Sequence, residues 1–311
     1  MDERLRWLLE GDVSIQYLVS RDLLEKPLQD LDDLQQRIPY EGYGKGLFDL
    51  QKDNGHWGLS FYQPKWISTH YTLLDLKNMG TPKTESTTRV IRRITLEEKG
   101  ADGGINPAHG GIISDVCING MFLNYACWFG VEEKDIESVI DYVITEQMED
   151  GGFNCQKNRS GAVHSSLHST ISVLEGIHTY KAEGYTYRLD ELLPIIQANE
   201  EFILAHHLYL SDKTGEIIQQ NFTKFSYPCR WYYDVLRGLE YFADANVAYD
   251  SRMDEALMLL ISKRQKNLRW KVQNRHQGQR HFDYEKTGSM SRINTYRALK
   301  VLKAYGANVE A

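Results

Sequence analysis

Three residues with metal-binding side chains occupy related positions in consecutive apolar segments of the sequence. Asp115 and Cys117 are two residues apart at the start of one segment, and His168 stands at the matching position of the next. One carboxylate, one thiolate and one imidazole make an open three-ligand zinc set that leaves a fourth position for water or substrate. The pattern predicts zinc bound by Asp115, Cys117 and His168. The alternative is that Asp115 caps a helix and Cys117 is a small buried apolar residue.

Two further residues can supplement this set. His164 precedes His168 by four residues, which is one helical turn, and Cys155 follows a Gly-Gly-Phe-Asn segment. We expect each of them to be an additional ligand or to support one.

Cationic and aromatic side chains also recur near the starts of the apolar segments. Cations at the mouth of an apolar cavity suit an anionic or diphosphate group. The predicted anion-binding residues are His109, Arg230, Arg292 and Lys65.

Aromatic rings either line a cavity for a long apolar ligand or form the core. The predicted cavity-lining residues are Trp66, His70, Trp231, Tyr232, Tyr233 and Tyr296.

A turn that recurs every 48 residues marks the elements that must position these side chains. The segments QKDNGHW, KGADGGI and QMEDGGF begin at residues 51, 99 and 147. Self-similarity of this period is typical of stacked supersecondary units. Apolar runs with helical periodicity follow the turns, and charged amphipathic segments lie between the runs. The units are therefore predicted to be helix pairs.

Together with the N-terminal segment, these runs make about six inner and six outer helices. The predicted fold is all-α, an (α/α)6 toroid or barrel in which residues 1–311 form a single domain around a central cavity. The inner helices should begin near residues 68, 115, 166, 230 and 292. Alternating strand patterns are scarce, which argues against a repeat built on a sheet.

Composition restricts the partners and the location. The formal charge of −7 and the lack of a Lys/Arg-rich run argue against a nucleic-acid surface. The N-terminus carries acidic residues where a signal peptide needs basic ones, and no apolar stretch is long enough for a transmembrane segment. We expect a cytoplasmic protein whose four cysteines are thiols rather than a disulfide framework.

The repeated turns resemble the repeats of the squalene-cyclase and protein-prenyltransferase superfamily. Prenyltransferase β-subunits carry an Asp-x-Cys at the start of one inner helix and a His at the start of the next, and these bind zinc. Asp115-Val-Cys117 and His168 match that arrangement, and Ala108-His109-Gly110-Gly111 resembles a family turn whose His contacts the isoprenoid diphosphate. The string Asp30-Leu-Asp32-Asp33 matches the terpene-cyclase acid in letters only, because it lies in a charged outer segment.

The resemblance implies a zinc-dependent prenyltransferase-like or terpene-cyclase-like enzyme that acts on an apolar or amphipathic, isoprenoid-type substrate in the central cavity. Its catalytic residues are not identified, and the need for a partner subunit stays open. One alternative is a toroid hydrolase, lyase or peptide-modifying enzyme that acts on a sugar or a peptide. Another is a ligand-binding scaffold without catalysis.

Overall fold

The structure is a computed structural model, and it describes residues 2–108 and 113–306. Over those residues the chain is almost entirely helical, and regular strand is limited to a two-stranded antiparallel ladder of β1 (Trp270–Lys271) and β2 (Met290–Ser291). The helices are α1 (Glu3–Leu9), α2 (Val13–Asp22), α3 (Leu28–Arg37), α4 (Gly42–Phe48), α5 (Thr69–Asn78), α6 (Glu85–Glu97), α7 (Val116–Trp128), α8 (Glu133–Glu146), α9 (Lys157–Ser160), α10 (Leu167–Ala182), α11 (Leu189–Ala205), α12 (Val235–Asp244), α13 (Asp254–Ser262) and α14 (Arg292–Tyr305).

The predicted all-α fold class is confirmed. Four of the five inner helices begin within one residue of the predicted start, whereas α12 begins at Val235 rather than near residue 230. The predicted inner helices correspond to α5, α7, α10, α12 and α14, and the charged amphipathic segments to α6, α8, α11 and α13. In the described part of the chain, no helix has both the length and the apolar character needed to cross a membrane.

The turn repeat seen in the sequence is also a repeat of backbone geometry. In each copy an N–H donates to the carbonyl four residues later, over 2.9 Å from Lys52 to His56, 2.7 Å from Gly100 to Gly104 and 3.0 Å from Met148 to Gly152. The glycine inside each turn is left-handed, with φ of +85° at Gly55, +86° at Gly103 and +89° at Gly151. This conformation disfavours side chains with a Cβ, which is why glycine recurs at that position.

Each turn is then tied to the helix that follows it. The fully buried residue after the turn donates its N–H to a side-chain oxygen of the next inner helix. These bonds are Trp57 to Thr69 at 3.1 Å, Ile105 to Asn119 at 2.7 Å and Phe153 to Thr170 at 3.0 Å. A buried backbone N–H needs such an acceptor, so the bond fixes where each inner helix starts relative to its turn.

A fourth copy lies where the sequence pattern missed it. Gln265 donates to the carbonyl of Arg269 over 2.9 Å, and the buried Trp270 donates its N–H to Thr295 of α14 over 3.0 Å. The left-handed position is Leu268, with φ of +61°. Because a leucine replaces the glycine there, the motif cannot be found by its Gly-rich letters.

The helices divide into two compact units. Unit 1 contains Met1–Leu50, Asn78–Pro82 and Ile203–Ala311, and unit 2 contains Gln51–Lys77 and Lys83–Phe202. In unit 1, α1 and α2 pack on α14, so the first helices of the chain contact the last helix. In unit 2, α7 packs along α10. The single domain over residues 1–311 stays a prediction.

Candidate functional site

The entrance of α7 in unit 2 carries the first candidate residue. Asp115 is the N-cap residue of α7, yet its side chain makes no capping hydrogen bond. Its carboxylate pairs instead with the guanidinium of Arg159 on α9. Burial raises the pKa of the Asp115 carboxyl, although Arg159 acts in the opposite direction. The capping alternative is therefore not what this side chain does.

Two cysteines meet beside this carboxyl. The Sγ of Cys155 accepts the backbone N–H of Cys117 at 3.2 Å and the hydroxyl of Ser169 at 3.4 Å. A hydrogen bond from the Cys117 thiol lowers the pKa of Cys155, and the same bond together with burial raises the pKa of Cys117. Cys155 is therefore the acceptor of the pair and carries the greater thiolate character.

A cavity of about 450 Å³ opens next to these residues in unit 2. Its lining combines the rings of Phe61 and Tyr62, the amides of Gln63 and Asn106 and the charged groups of Glu98, Asp115 and Arg159. This volume lies in the range of small-molecule sites, which span roughly 300 to 1,000 Å³. Two carboxyl groups and a cation thus face one enclosed space.

Lys65 adds a second cation to this region. Its Nζ lies 4.8 Å from the ring centroid of Trp66, which is itself buried. Burial lowers the pKa of Lys65, whereas the nearby Cys117 and Asp115 act to raise it. The structure therefore brings Lys65 into the electrostatic field of the two residues that the sequence placed at a metal site.

His70 lies beneath the cavity wall. Its Nδ1 is 3.1 Å from the hydroxyl of Tyr125, and its ring meets those of Phe61 and Tyr62 at centroid distances of 5.4 Å each. The side chain is fully buried, and burial lowers its pKa to about 3, so the imidazole is neutral at ordinary pH. Its Nε2 has no hydrogen-bond partner among the described residues.

Two of the predicted histidines lie at the entrance of α10. His168 is the second residue of α10 and is partly exposed, and the exposed His164 precedes the helix. His109 lies outside the described residues. Across residues 2–108 and 113–306, no group of three or more His, Cys, Asp and Glu side chains is arranged to hold a metal ion. Zinc binding by Asp115, Cys117 and His168 therefore stays a prediction.

The other predicted residues belong to unit 1. The Nε of Arg292 donates to the carbonyl of Trp7 at 3.0 Å, and its guanidinium lies 4.6 Å from the Trp7 ring centroid. Tyr233 donates to the carbonyl of Leu208 at 2.6 Å, and the hydroxyl of Tyr296 bonds to Asp22. These three side chains hold the helices of unit 1 together, and their roles toward a ligand stay predictions.

The segment before α12 carries the last of the predicted residues. The buried Arg230 has a left-handed φ of +59°, and its carbonyl accepts a hydrogen bond from Arg237 at 3.2 Å. The rings of Trp231 and Tyr232 stack at 3.9 Å, and that of Tyr232 stacks on His276 at 3.8 Å. Anion binding by Arg230 stays a prediction.

Several residues of the cavity were not expected from the sequence. They are Tyr62, Gln63, Glu98, Asn106 and Arg159, together with Ser169 beside the thiols. One signal was available for Asn106, because it follows its turn at the position that Asn154 holds 48 residues later. Arg159 sits on a helix of only four residues, which is too short to show periodicity.

Comparisons with known proteins give little beyond the fold. No protein family and no curated protein matches the sequence. Among solved structures, the chain is similar to a glycosyl hydrolase family 88 protein from Bacteroides vulgatus. The identity is 12%, the match covers 95% of this chain and 90% of that chain, and the TM-score is 0.48.

These findings correct part of the sequence interpretation. The solved structure that the chain is similar to is a glycosyl hydrolase, not a squalene cyclase or a prenyltransferase, so the predicted resemblance to that superfamily is wrong. The description as a prenyltransferase or terpenoid enzyme is wrong for the same reason, and the described residues give the zinc prediction no support.

Proposed function

We propose that the chain is a hydrolase that cleaves a glycosidic bond of an acidic sugar in the unit 2 cavity. One observation carries the proposal: Asp115 and Glu98 line the same cavity, and burial raises the pKa of the Asp115 carboxyl. Glycosidases use such a pair, in which one carboxyl is held protonated as an acid and the other is ionised.

The lining of the cavity supports a sugar as the ligand. Amides such as those of Gln63 and Asn106 bind hydroxyl groups, and the rings of Phe61 and Tyr62 offer faces for the apolar side of a pyranose. Arg159 and the nearby Lys65 are suited to a carboxylate on that sugar. The preferred substrate is therefore a uronate rather than a neutral glycoside.

In this mechanism Asp115 protonates the oxygen of the departing sugar, and Glu98 accepts a proton from the attacking water. Arg159 couples binding to protonation, because the ion pair with Arg159 favours the ionised form of Asp115. A substrate carboxylate that takes over Arg159 weakens this pair. The pKa of Asp115 then rises further, and the acid is protonated when the substrate is bound.

The first prediction tests the two carboxyl groups. On 4-nitrophenyl glucuronide, Asp115→Asn and Glu98→Gln should each lower kcat by about 10² to 10⁴, as measured by nitrophenol release. The matched control is Glu97→Gln, which changes an exposed neighbour of Glu98 that pairs with Arg93 over 2.7 Å. This variant should retain wild-type activity.

Substrate charge is tested in the same assay with 4-nitrophenyl glucoside. Arg159→Gln should raise KM for the glucuronide by about tenfold or more, since a charge-assisted hydrogen bond is lost, and leave KM for the glucoside unchanged. No hydrolysis of either compound by the wild type, or equal activity of Asp115→Asn and wild type, would contradict the proposal.

A further inference from the structure

The contacts between Cys117 and Cys155 make a second kind of chemistry available in unit 2. The Cys117 thiol donates to the sulfur of Cys155, and this sulfur also accepts the backbone N–H of Cys117 at 3.2 Å and the Ser169 hydroxyl at 3.4 Å. Both cysteines are free and partly exposed. Three hydrogen-bond donors thus converge on the sulfur of a partly exposed cysteine that already contacts a second thiol.

The polar surroundings of this sulfur are built from fixed elements. Cys117 is the second residue of α7, so its N–H is one of those that the first turn of a helix leaves without a helical partner. Ser169 belongs to the first turn of α10, and its hydroxyl oxygen accepts the N–H of Cys155 at 3.1 Å. Cys155 is therefore held at both its backbone and its sulfur.

We propose that Cys155 and Cys117 form an oxidisable dithiol, in which Cys155 reacts with a hydroperoxide and Cys117 closes a disulfide with it. This inference goes beyond the proposed hydrolase and does not depend on it. Neither the metal prediction nor the cavity chemistry uses the contact between the two sulfurs.

The reaction balances with a hydroperoxide as the oxidant. The Cys155 sulfur attacks one peroxide oxygen, the O–O bond breaks, and the leaving oxygen takes up the thiol proton, which yields a sulfenic acid and an alcohol, or water from hydrogen peroxide. The Cys117 sulfur then attacks the Cys155 sulfur, the S–O bond breaks, and the hydroxyl leaves as water with the Cys117 proton. The two sulfurs lose two electrons in total, and the peroxide gains them.

The other two cysteines provide internal controls. Cys127 is 1% exposed inside α7. The thiol of Cys229 donates to the carbonyl of Ser226 at 3.4 Å, and burial raises its pKa to about 12. Reactivity toward peroxide requires both thiolate and access. Cys127 lacks access and the raised pKa of Cys229 disfavours its thiolate, so both should remain thiols while Cys155 reacts.

A disulfide at this place joins two segments that already share an ion pair. Cys117 is two residues from Asp115 at the entrance of α7, and Cys155 is four residues before Arg159. The covalent bond would hold the α9 segment against α7 and restrict movement of the Asp115–Arg159 pair. The disulfide would thus form beside the cavity, and a thiol reductant could reduce it again.

The test uses the full chain in its native state. Reduced wild-type protein is exposed to graded hydrogen peroxide, alkylated, digested without reductant and mapped by mass spectrometry. We expect a linked peptide containing Cys117 and Cys155 that is two hydrogens lighter than the separate peptides and disappears on reduction. Cys127 and Cys229 should be recovered as alkylated thiols.

Two variants separate the roles of the thiols. Cys117→Ser should stop the reaction at a Cys155 sulfenic acid that dimedone traps. Cys155→Ser should slow oxidation of Cys117 by more than about tenfold, while Cys229→Ser should leave formation of the disulfide unchanged. Circular dichroism of each variant checks that it is folded.

Three results would overturn the inference, and the first two come from the wild type alone. One is linkage of Cys117 or Cys155 to other cysteines as readily as to each other. Another is survival of both thiols at peroxide concentrations that oxidise Cys229. The third is stoichiometric zinc in the purified protein, since a metal on these sulfurs would block the reaction.

Discussion

At the scale of the residue, one backbone conformation recurs under different side chains. The left-handed position of the turn is glycine in three copies and Leu268 in the fourth, where φ is +61°. A side chain other than glycine in this region costs on the order of 1 kcal/mol or more. Leu268 is 44% exposed, so little burial compensates for that cost. The fourth turn is therefore held in place by its hydrogen bonds to Gln265 and Thr295 rather than by its own preference.

Leu268→Gly should relieve this strain. We expect the free energy of unfolding to rise by about 0.5 to 1 kcal/mol. This is the backbone strain that glycine removes, minus the cost of the extra conformational entropy that glycine loses on folding. Urea unfolding measures the change. Leu268→Val is the control, and it should destabilise the protein because a β-branched residue tolerates this region least. A stabilising valine would show that the position is not strained.

Asp115 shows what sequence reasoning finds and misses at this scale. Its residue type and its place at the start of a helix predicted a functional role, and the structure places it in the wall of a cavity. Its partner Arg159 comes from a separate connection 44 residues later, and no local rule joins the two. A spacing rule captures contacts along one helix, whereas this pair depends on how two connections meet.

At the scale of the element, α7 and α10 approach each other through glycines. A Cβ added to Gly120 would overlap the backbone of Ser172, and one added to Gly176 would overlap the backbone of Gly120. Neither obstacle is a flexible side chain, so the helices themselves would have to separate. Small residues at this crossing set the distance between the helices that carry Cys117 and Ser169.

Gly120→Ala and Gly176→Ala should each destabilise the protein by about 2 kcal/mol or more. Alanine gains about 1 kcal/mol of helix propensity over glycine, but overpacking against rigid backbone costs more than this gain. The control is Gly306→Ala, because φ at Gly306 is −59° and the nearest atom to its added Cβ lies 3.6 Å away. That variant should be neutral or slightly stabilised in urea unfolding. Equal effects at the three positions would argue against the close crossing.

The long elements were predictable, and the short ones were not. Residues with one apolar stripe predicted α6 and α8, because an outer helix buries one face and exposes the other. The apolar run of α7 predicted an inner helix, and its side chains are buried on nearly all sides. The segment of α9 offers four polar residues and no stripe, so nothing in its pattern separates a helix from a loop.

At the scale of the molecule, a network of charges ties distant parts of unit 1. Glu240 of α12 accepts from Arg297 of α14 at 2.6 Å and pairs with Lys300 at 3.0 Å. These cations lower the pKa of Glu240 to about 2, although burial opposes them. The hydroxyl of Tyr296, on the same helix, bonds to Asp22 at the end of α2. The start of the chain is thus linked to α14, and α14 to α12.

Stability should depend on pH through Glu240. Its folded pKa lies below the ordinary value of 4.5, so its contribution is complete above about pH 4.5 and is lost as the pH falls toward 2. Urea unfolding measures the difference in free energy of unfolding between wild type and Glu240→Gln. This difference should be smaller at pH 2 than at pH 5 by on the order of 3 kcal/mol.

The exposed pair of Arg37 and Glu41 supplies the control for this measurement. Glu41 is also paired with an arginine, at 2.8 Å, but both side chains are exposed and solvent screens them. Glu41→Gln should therefore change the pH dependence much less than Glu240→Gln. The same pH dependence in both variants would mean that the buried network contributes no more to stability than an exposed ion pair.

The all-α fold class and the helix pairs were predicted from periodicity, and within unit 1 the helices α1 and α2 pack on α14. The chemistry could not be predicted in the same way. The letters of the turn reflect its backbone geometry, and a fold-level pattern of this kind does not specify an active site. The lining of the cavity depends on which connections come together, and this is a property of the folded chain.

The way each turn is tied to its helix has a consequence for how such a protein evolves. Both ends of a connection are anchored, by the turn at one side and by a helix oxygen at the other, and the intervals between the bonded residues are 12, 14 and 17 residues in successive copies. The first three turns keep their period of 48 although these intervals differ, so the length of a connection varies independently of the turn spacing. Tyr62, Asp115 and Arg159 come from three different connections, and no single ancestral repeat could have held the whole cavity. Duplication first supplies identical walls, and selection can then alter one wall at a time without disturbing the anchors of the others.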